Sequence, residues 1–298
     1  MNPALTWNPV SDVQQLFVYP FMVNALEAGT IVGVMAAITG WFVVLRRQAF
    51  AAHTLSVMSF PGASGAALAG LPLPLGYFAA CTIAAAAIAA GSRTANKRNL
   101  AQESAVVGTV QVVGFALGFL FLSLYGGVLE DLESLLFGSF LGITSSQVLT
   151  LLAVAAATLA FFALVGRPLL SSSIDELVAR AAGAPVRALE VAFLIVLGLT
   201  VAATVQITGV LLVFALLVAP AAAAQQLTTR IALGFALSVV IALLVTWVGL
   251  ALSYYTDYSV GFYVTSLAFA IYLTARLARA LRRRPWVRFE PRPIGATP

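Results

Sequence analysis

The chain has 298 residues (31.1 kDa); 61% are hydrophobic, 9% are charged and the mean hydropathy is +1.00. A soluble domain carries about 25% charged residues because its surface must be solvated, and a disordered chain needs low hydrophobicity with high net charge, so both are excluded. What remains is a polytopic helical membrane protein, and its net charge of +5 reads as a topology signal with no nucleic-acid partner needed.

One cysteine, Cys81, excludes an intrachain disulfide and a cysteine metal cluster, and one histidine, His53, excludes a His-rich site. The N-terminal stretch contains Asp12 and lacks a basic region or a small-residue cleavage site. Insertion is expected to begin with the first span.

About 20 apolar residues cross a bilayer as a helix. In chain order the expected spans are Phe21 to Leu45, Thr54 to Leu71, Leu75 to Gly91, Ser104 to Tyr125, Val148 to Val165, Val191 to Thr208, Gly209 to Ala224, Ile231 to Leu252 and Val260 to Ala275. This gives an all-α fold of about nine transmembrane helices. Residues 1–20 are expected to form an extracytoplasmic segment, 21–279 the transmembrane domain and 280–298 a cytoplasmic basic tail. Pro61-Gly62 is expected to loosen the second span, and Gly114 and Gly118 to mark close helix packing.

Arginine placement orients the chain. Arg46 and Arg47 follow the first span, Arg93, Lys97 and Arg98 the third, Arg167, Arg180 and Arg187 the fifth, Arg230 the seventh, and Arg276 to Arg292 the ninth. With the N-terminus outside and the C-terminus inside, all of these fall on the cytoplasmic face. Glu130 to Glu133 and Tyr254 to Asp257 then fall outside, and Tyr254, Tyr255 and Tyr258 suit an outer aromatic belt. Leu135 to Gly138 must then be a half-helix or re-entrant piece that does not cross.

Residues 171–186 are too polar to cross. Ser171, Ser172 and Ser173 offer N-caps, Asp175 and Glu176 suit a first helical turn, and Gly183 with Pro185 closes the segment. Exposed Leu177 and Val178 suit docking to a protein; an amphipathic helix lying on the membrane is the other reading.

Catalytic motifs are missing. There is no G-x-x-x-x-G-K-[ST] phosphate loop and no G-x-S-x-G elbow, and any Ser-His-Asp triad would have to use His53. Ionisable groups inside spans are functional candidates. Glu27 is one, with a neutral or interfacial carboxylic acid as the structural reading, and His53 at the edge of the second span is another, with an imidazole satisfied by a backbone carbonyl as its alternative. Asp131, Glu133 and Asp257 would make a negative outer mouth, or else are solvated loop carboxylates. Gln111 and Gln206 read as helix-to-helix hydrogen bonders.

Five blocks together carry a resemblance: Val43 to Phe50 leading into Leu55-Ser56 and Pro61-Gly62; Phe115 to Gly118; Asp131-Leu132 with Leu136 to Gly142; Asp175, Glu176, Leu177, Ala179 and Gly183; and Gly209 to Leu212 with Leu216 to Ala224. In order and spacing the chain resembles permease subunits of bacterial zinc/manganese/iron ABC importers, the ZnuB-like family. The resemblance implies a type II ABC importer-like permease in the bacterial cytoplasmic membrane. It would be homodimeric and non-catalytic, served by cytoplasmic ABC ATPase subunits and by an extracytoplasmic metal-binding lipoprotein. It implies that Asp175, Glu176, Leu177, Ala179 and Gly183 form the helix coupled to the ATPase.

One departure stands out. The family's second span usually opens with an aspartate and, four residues on, a histidine; this chain has His53 and Val57. A metal contact can carry over to His53 and not to Val57. The expectation is import of a divalent metal with no permanently bound cofactor, zinc first because imidazole suits it and manganese second. A gradient-driven secondary transporter of small metabolites and a membrane-embedded hydrolase based on His53 are the alternatives from other classes.

Overall fold

A computed structural model describes residue 14 and residues 17–92, 100–126, 143–256 and 258–282. Every regular element among them is a helix. Helix α1, Pro20–Leu45, starts with proline in its first turn, where the missing N–H costs nothing. It stops in a Schellman turn: the Arg47 N–H donates to the Val44 carbonyl (3.2 Å) and the Gln48 N–H to the Val43 carbonyl (2.9 Å). Arg47 takes the left-handed conformation (φ 59°) usually left to glycine.

Helix α2, Ala49–Val57, begins at the next residue, and α3, Ser59–Leu68, follows after Met58. The expected second span therefore starts at Ala49 and not at Thr54, because the tight turn at Arg47 leaves no loop between the helices. Its break falls at Met58, ahead of Pro61, which is accommodated in the first turn of α3.

Helices α4, Leu73–Gly91, and α5, Leu100–Tyr125, complete the first half. Then come α6, Ser145–Ile174, opened by a Thr144–Gln147 capping box; α7, Glu176–Ala181; α8, Val186–Leu227; α9, Ile231–Tyr255; and α10, Val260–Arg282.

Although α8 has 42 residues, it is not one rod. Thr200 and Leu217 both lie beside adjacent residues of α1. Thr39 Oγ1 is 3.5 Å from Thr200 Oγ1, and a Cβ on Gly40 would overlap the Leu217 carbonyl oxygen. In a straight helix Thr200 and Leu217 would stand ~25 Å apart. Phe193 and Gln225 repeat the pattern, one ring centroid 6.4 Å from that of Phe42 and the other amide donating to the Trp41 carbonyl at 3.0 Å. The chain thus doubles back at Gly209 (φ 73°, ψ 164°), backbone that is essentially glycine-only. The arms, Val186–Val210 and Leu212–Leu227, match the two spans expected on either side of residue 209.

Seven helical segments among the described residues are long and apolar enough to cross a membrane. The other two expected spans are the shorter Leu212–Leu227 arm and the α2–α3 pair. Contacts between elements define two ends of the bundle. At one, the ends of α1 and α6 meet through Arg46 and Ser173, and the ends of α8 and α10 through Gln226 and Arg279. At the other, Tyr19 packs on Tyr254, and Tyr254 on Tyr255. Arg46, Arg47, Arg180, Arg187, Arg230, Arg276 and Arg279 collect at the first, the arginine end; the second is the tyrosine end.

The α8 hairpin is the hub, touching α1, α2, α4, α6, α9 and α10. Lipid is as apolar as a protein core, so helix association rests on close contact more than on burial. Gly62 of α3 and Gly76 of α4 approach so closely that a Cβ on either would overlap the other's carbonyl oxygen. Gly114 and Gly118 of α5 receive Met58 and Phe60, as expected of close-packing positions. Near the arginine end Trp41, Phe42, Phe162, Phe193 and Phe235 form one aromatic cluster, with Trp41 stacked on Phe235 at 4.2 Å and Phe42 on Phe162 at 4.9 Å. Such pairs contribute about 0.5–1.5 kcal/mol each beyond area burial.

Candidate pathway residues and docking helix

The short helix α7 follows α6 through Asp175 alone. Asp175 is extended (φ −144°, ψ 107°), and its Oδ1 accepts from the Leu177 N–H (2.9 Å) and the Val178 N–H (3.1 Å). Two donors that a helix start leaves orphaned are thereby satisfied. Ser171, Ser172 and Ser173, expected as caps, instead lie in the last turn of α6 and donate to Pro168 and Leu169 carbonyls of their own helix. The reason is that α6 runs on past Pro168 to Ile174, beyond the expected end at Val165.

Glu176 and Arg180 sit in the first and last turns, favourable for the helix dipole, and pair with each other on the exposed face. Gly183 (φ 80°) closes the helix in a Schellman turn, with its N–H on the Arg180 carbonyl and the Ala184 N–H on the Ala179 carbonyl, each at 3.0 Å. Ala179 is buried against the neighbouring helices, whereas Leu177 is 78% and Val178 64% exposed. The result is a capped helix that presents two apolar side chains outward at the arginine end.

His53 lies inside α2, half-buried, with its ring edge-on to Phe214 of the second α8 arm at 5.4 Å. Its backbone carbonyl accepts from Ser56 Oγ at 2.7 Å. The Gln48–Val43 hydrogen bond sets the start of α2 level with the last turns of α1. Phe214 lies 13 residues before Leu227, so by a rise of ~1.5 Å per residue the His53 ring sits ~20 Å in from the arginine-end terminus of that arm. Glu27, on α1, is ~28 Å from Arg46 by the same rise, in the half nearer the tyrosine end.

Glu27 is exposed and lines a groove of about 740 Å³ with Leu26, Thr30 and Ile31 of α1, Val148 and Leu152 of α6, and Trp247, Val248 and Ala251 of α9. Trp247 Nε1 closes part of that wall by donating to Thr30 Oγ1 at 2.9 Å. With Leu217 against Gly40, Phe214 is level with about residue 37 of α1, so His53 and Glu27 are ~15 Å apart along the bundle and cannot hold one ion together. Among the described residues no three His, Cys, Asp or Glu side chains gather into a metal-holding group. Asp131, Glu133 and Asp257, and the Leu135 to Gly138 piece, lie outside the described residues.

Of the two glutamines, Gln111 does bridge helices, its Oε1 accepting from Thr54 Oγ1 of α2 at 3.1 Å. Gln206 does not: its amide donates to the Ala202 carbonyl one turn back in the same helix. A threonine ladder is the feature that sequence reasoning missed. Thr200, Thr204 and Thr208 stack on one buried face of the first α8 arm, Thr204 and Thr208 each bonding the carbonyl four residues back. The i, i+4 spacing of threonines in an otherwise apolar span is its signal. The Arg46–Ser173 contact, 127 residues apart in sequence, has no such signal.

Apolar helices packed round a doubled-back hub, with arginines gathered at one end, define a multi-pass helical membrane protein. The chain belongs to the ABC 3 transport family, which it matches over residues 18–279, and so is a membrane permease of the ABC transporters. It is 29% identical over 261 residues to the manganese transport system membrane protein MntC of Halalkalibacterium halodurans, a match covering 88% of each chain. It is also 29% identical over 261 residues to the chelated iron transport system membrane protein YfeC of Yersinia pestis, covering 88% of this chain and 87% of the other. The fold is similar to a chain of PsaBC from Streptococcus pneumoniae solved in complex with a Fab, with a TM-score of 0.79 at 24% identity, covering 92% of this chain and 99% of that one. Membership favours the ABC reading over the gradient-driven carrier and the hydrolase.

Proposed function

We propose that this permease imports a divalent transition metal ion, with ATP hydrolysis supplied by separate cytoplasmic ABC subunits that seat α7 and with metal delivered by an extracytoplasmic lipoprotein. The observation that carries the reading is α7 itself. A six-residue helix with both ends capped, and Leu177 and Val178 held out of its fold, is costly to leave in water and is suited to a protein cleft. The protein-docking reading gains over the membrane-surface one because Glu176 and Arg180 share that exposed helix with the apolar pair.

The orientation proposed is N-terminus outside and C-terminus inside, since the positive-inside rule then puts the arginine end in the cytoplasm and the tyrosine end at the outer interface. Cys81 is buried, so Val178→Cys and Ser146→Cys each introduce one accessible thiol. A membrane-impermeant maleimide added to right-side-out vesicles should label Ser146→Cys and spare Val178→Cys; the reverse pattern inverts the topology.

The cargo is manganese or iron(II) ahead of zinc. Relatives carry manganese and chelated iron in their names. A zinc site is built from several nitrogen or sulfur ligands, and His53 offers one. Manganese favours oxygens, which the carboxylates expected at the outer mouth would supply. A single imidazole on the path would be a weak, transient contact, which suits passage because an ion held by a full ligand set would not leave. Metal uptake by proteoliposomes carrying the permease with its ATPase and binding protein should fall several-fold for His53→Ala; wild-type uptake by that variant would remove His53 from the path.

A further inference from the structure

The docking helix and the helix that carries His53 are far apart in sequence, yet one side chain connects them. We propose that Arg46 is a positioning residue that ties the α6–α7 corner to the α1–α2 turn, so that a displacement of α7 by the ATPase reaches α2 and His53. The inference rests on the reading of α7 as the docking helix.

The connection has no slack at either end. On the α7 side the corner is the single residue Asp175, whose N–H donates to the Ser171 carbonyl (3.0 Å) while its own carbonyl accepts from the Ala179 N–H (3.1 Å). Ser173, inside that last turn of α6, is fixed by donating to the Leu169 carbonyl at 2.6 Å. Its Oγ then accepts from Arg46 Nη1 at 3.0 Å. On the other side Arg46 caps α1, and the Schellman turn that follows leaves Gln48 buried and hydrogen-bonded back to Val43. The α2 helix starts directly after it, so a shift of Arg46 cannot be absorbed by a loop.

The guanidinium also lies 5.2 Å over the Phe193 ring at the start of α8. That uses both faces of arginine chemistry, a directed N–H and a flat cation on a π surface, which an ammonium does not reproduce together. A residue present only to mark the cytoplasmic side would need the charge and neither contact.

The test uses the full permease with its ATPase and binding protein in proteoliposomes, with metal uptake and ATP hydrolysis measured on the same preparation. Arg46→Ala and Arg46→Lys should each lower metal ions carried per ATP hydrolysed by about tenfold, within the range that residues along a coupling route command. Both should leave the ATPase subunit co-purifying and its basal hydrolysis unchanged. Ser173→Ala should give a smaller loss, and the Arg46→Ala/Ser173→Ala pair should be no worse than Arg46→Ala alone, since the two share one interaction. Full rescue by Arg46→Lys reduces Arg46 to a topology charge and overturns the proposal, as does a strictly additive double variant. Failure of the docking reading looks different: Leu177→Asp would then leave co-purification and hydrolysis intact, whatever Arg46 does.

Discussion

Asp175 shows how one side chain fixes a candidate contact surface. Its carboxylate holds two backbone N–H groups of a helix only six residues long. Isolated helices of this length are unstable, because nucleation outweighs the few bonds gained. The cap, the glycine at Gly183 and the buried Ala179 therefore decide whether α7 exists in a defined pose. Replacing the cap by alanine costs about 1 kcal/mol, a sizeable fraction of what so small a helix has. Asp175→Ala is expected to weaken capture of the ATPase subunit in a pull-down about fivefold, while Asp175→Asn, which can still cap, retains most of it. Equal capture by Asp175→Ala and the wild type would show that the pose of α7 does not depend on its cap. Arg47 illustrates the opposite economy: it occupies a left-handed position at some steric cost where glycine would sit freely. On the proposed orientation its charge at the arginine end marks the cytoplasmic side.

Among the elements, the α8 hairpin carries the most structural consequence. Its reversal uses a glycine-only backbone at Gly209, with the threonine ladder leading up to it on the same arm. Gly209→Ala should strain the turn by about 1–3 kcal/mol and lower the thermal unfolding midpoint of the detergent-solubilised protein, whereas Gly108→Ala, in open space on α5, should leave it unchanged or raise it. An unchanged midpoint for Gly209→Ala would mean that the turn can relax into ordinary helix. Much at this scale was legible in the sequence. Uncharged runs set the spans, arginines set their alternation, and a glycine after Thr208 marked the division of the longest apolar stretch. Three features were not. The start of α2 depended on a Schellman turn built from arginine, a residue that does not advertise one. The end of α6 depended on a helix continuing past Pro168 with its serines bonded to their own carbonyls. The Arg46–Ser173 bond depended on which helix ends meet in space, and periodicity along one helix carries no information on that. Of the candidate site, sequence placed His53 and Glu27 in or beside spans, but their separation along the bundle emerged only from the contacts of α1 and α2 with the second α8 arm.

For the whole molecule, the arrangement is a bundle whose two ends differ in chemistry. One end gathers arginines and the exposed α7; the other gathers tyrosines. No G-x-x-x-x-G-K-[ST] loop occurs in the sequence, and on the proposed reading the energy comes from a partner ATPase. On that reading it enters at Leu177 and Val178 and is felt at α2. The most direct measurement is ATP-driven manganese uptake into proteoliposomes that contain the permease, its ABC ATPase and its binding protein, compared between the wild type and Leu177→Asp/Val178→Asp. Uptake should require the ATPase and be abolished in the double variant, with membrane insertion intact; uptake that proceeds without the ATPase, or that survives the double substitution, would contradict coupling through α7.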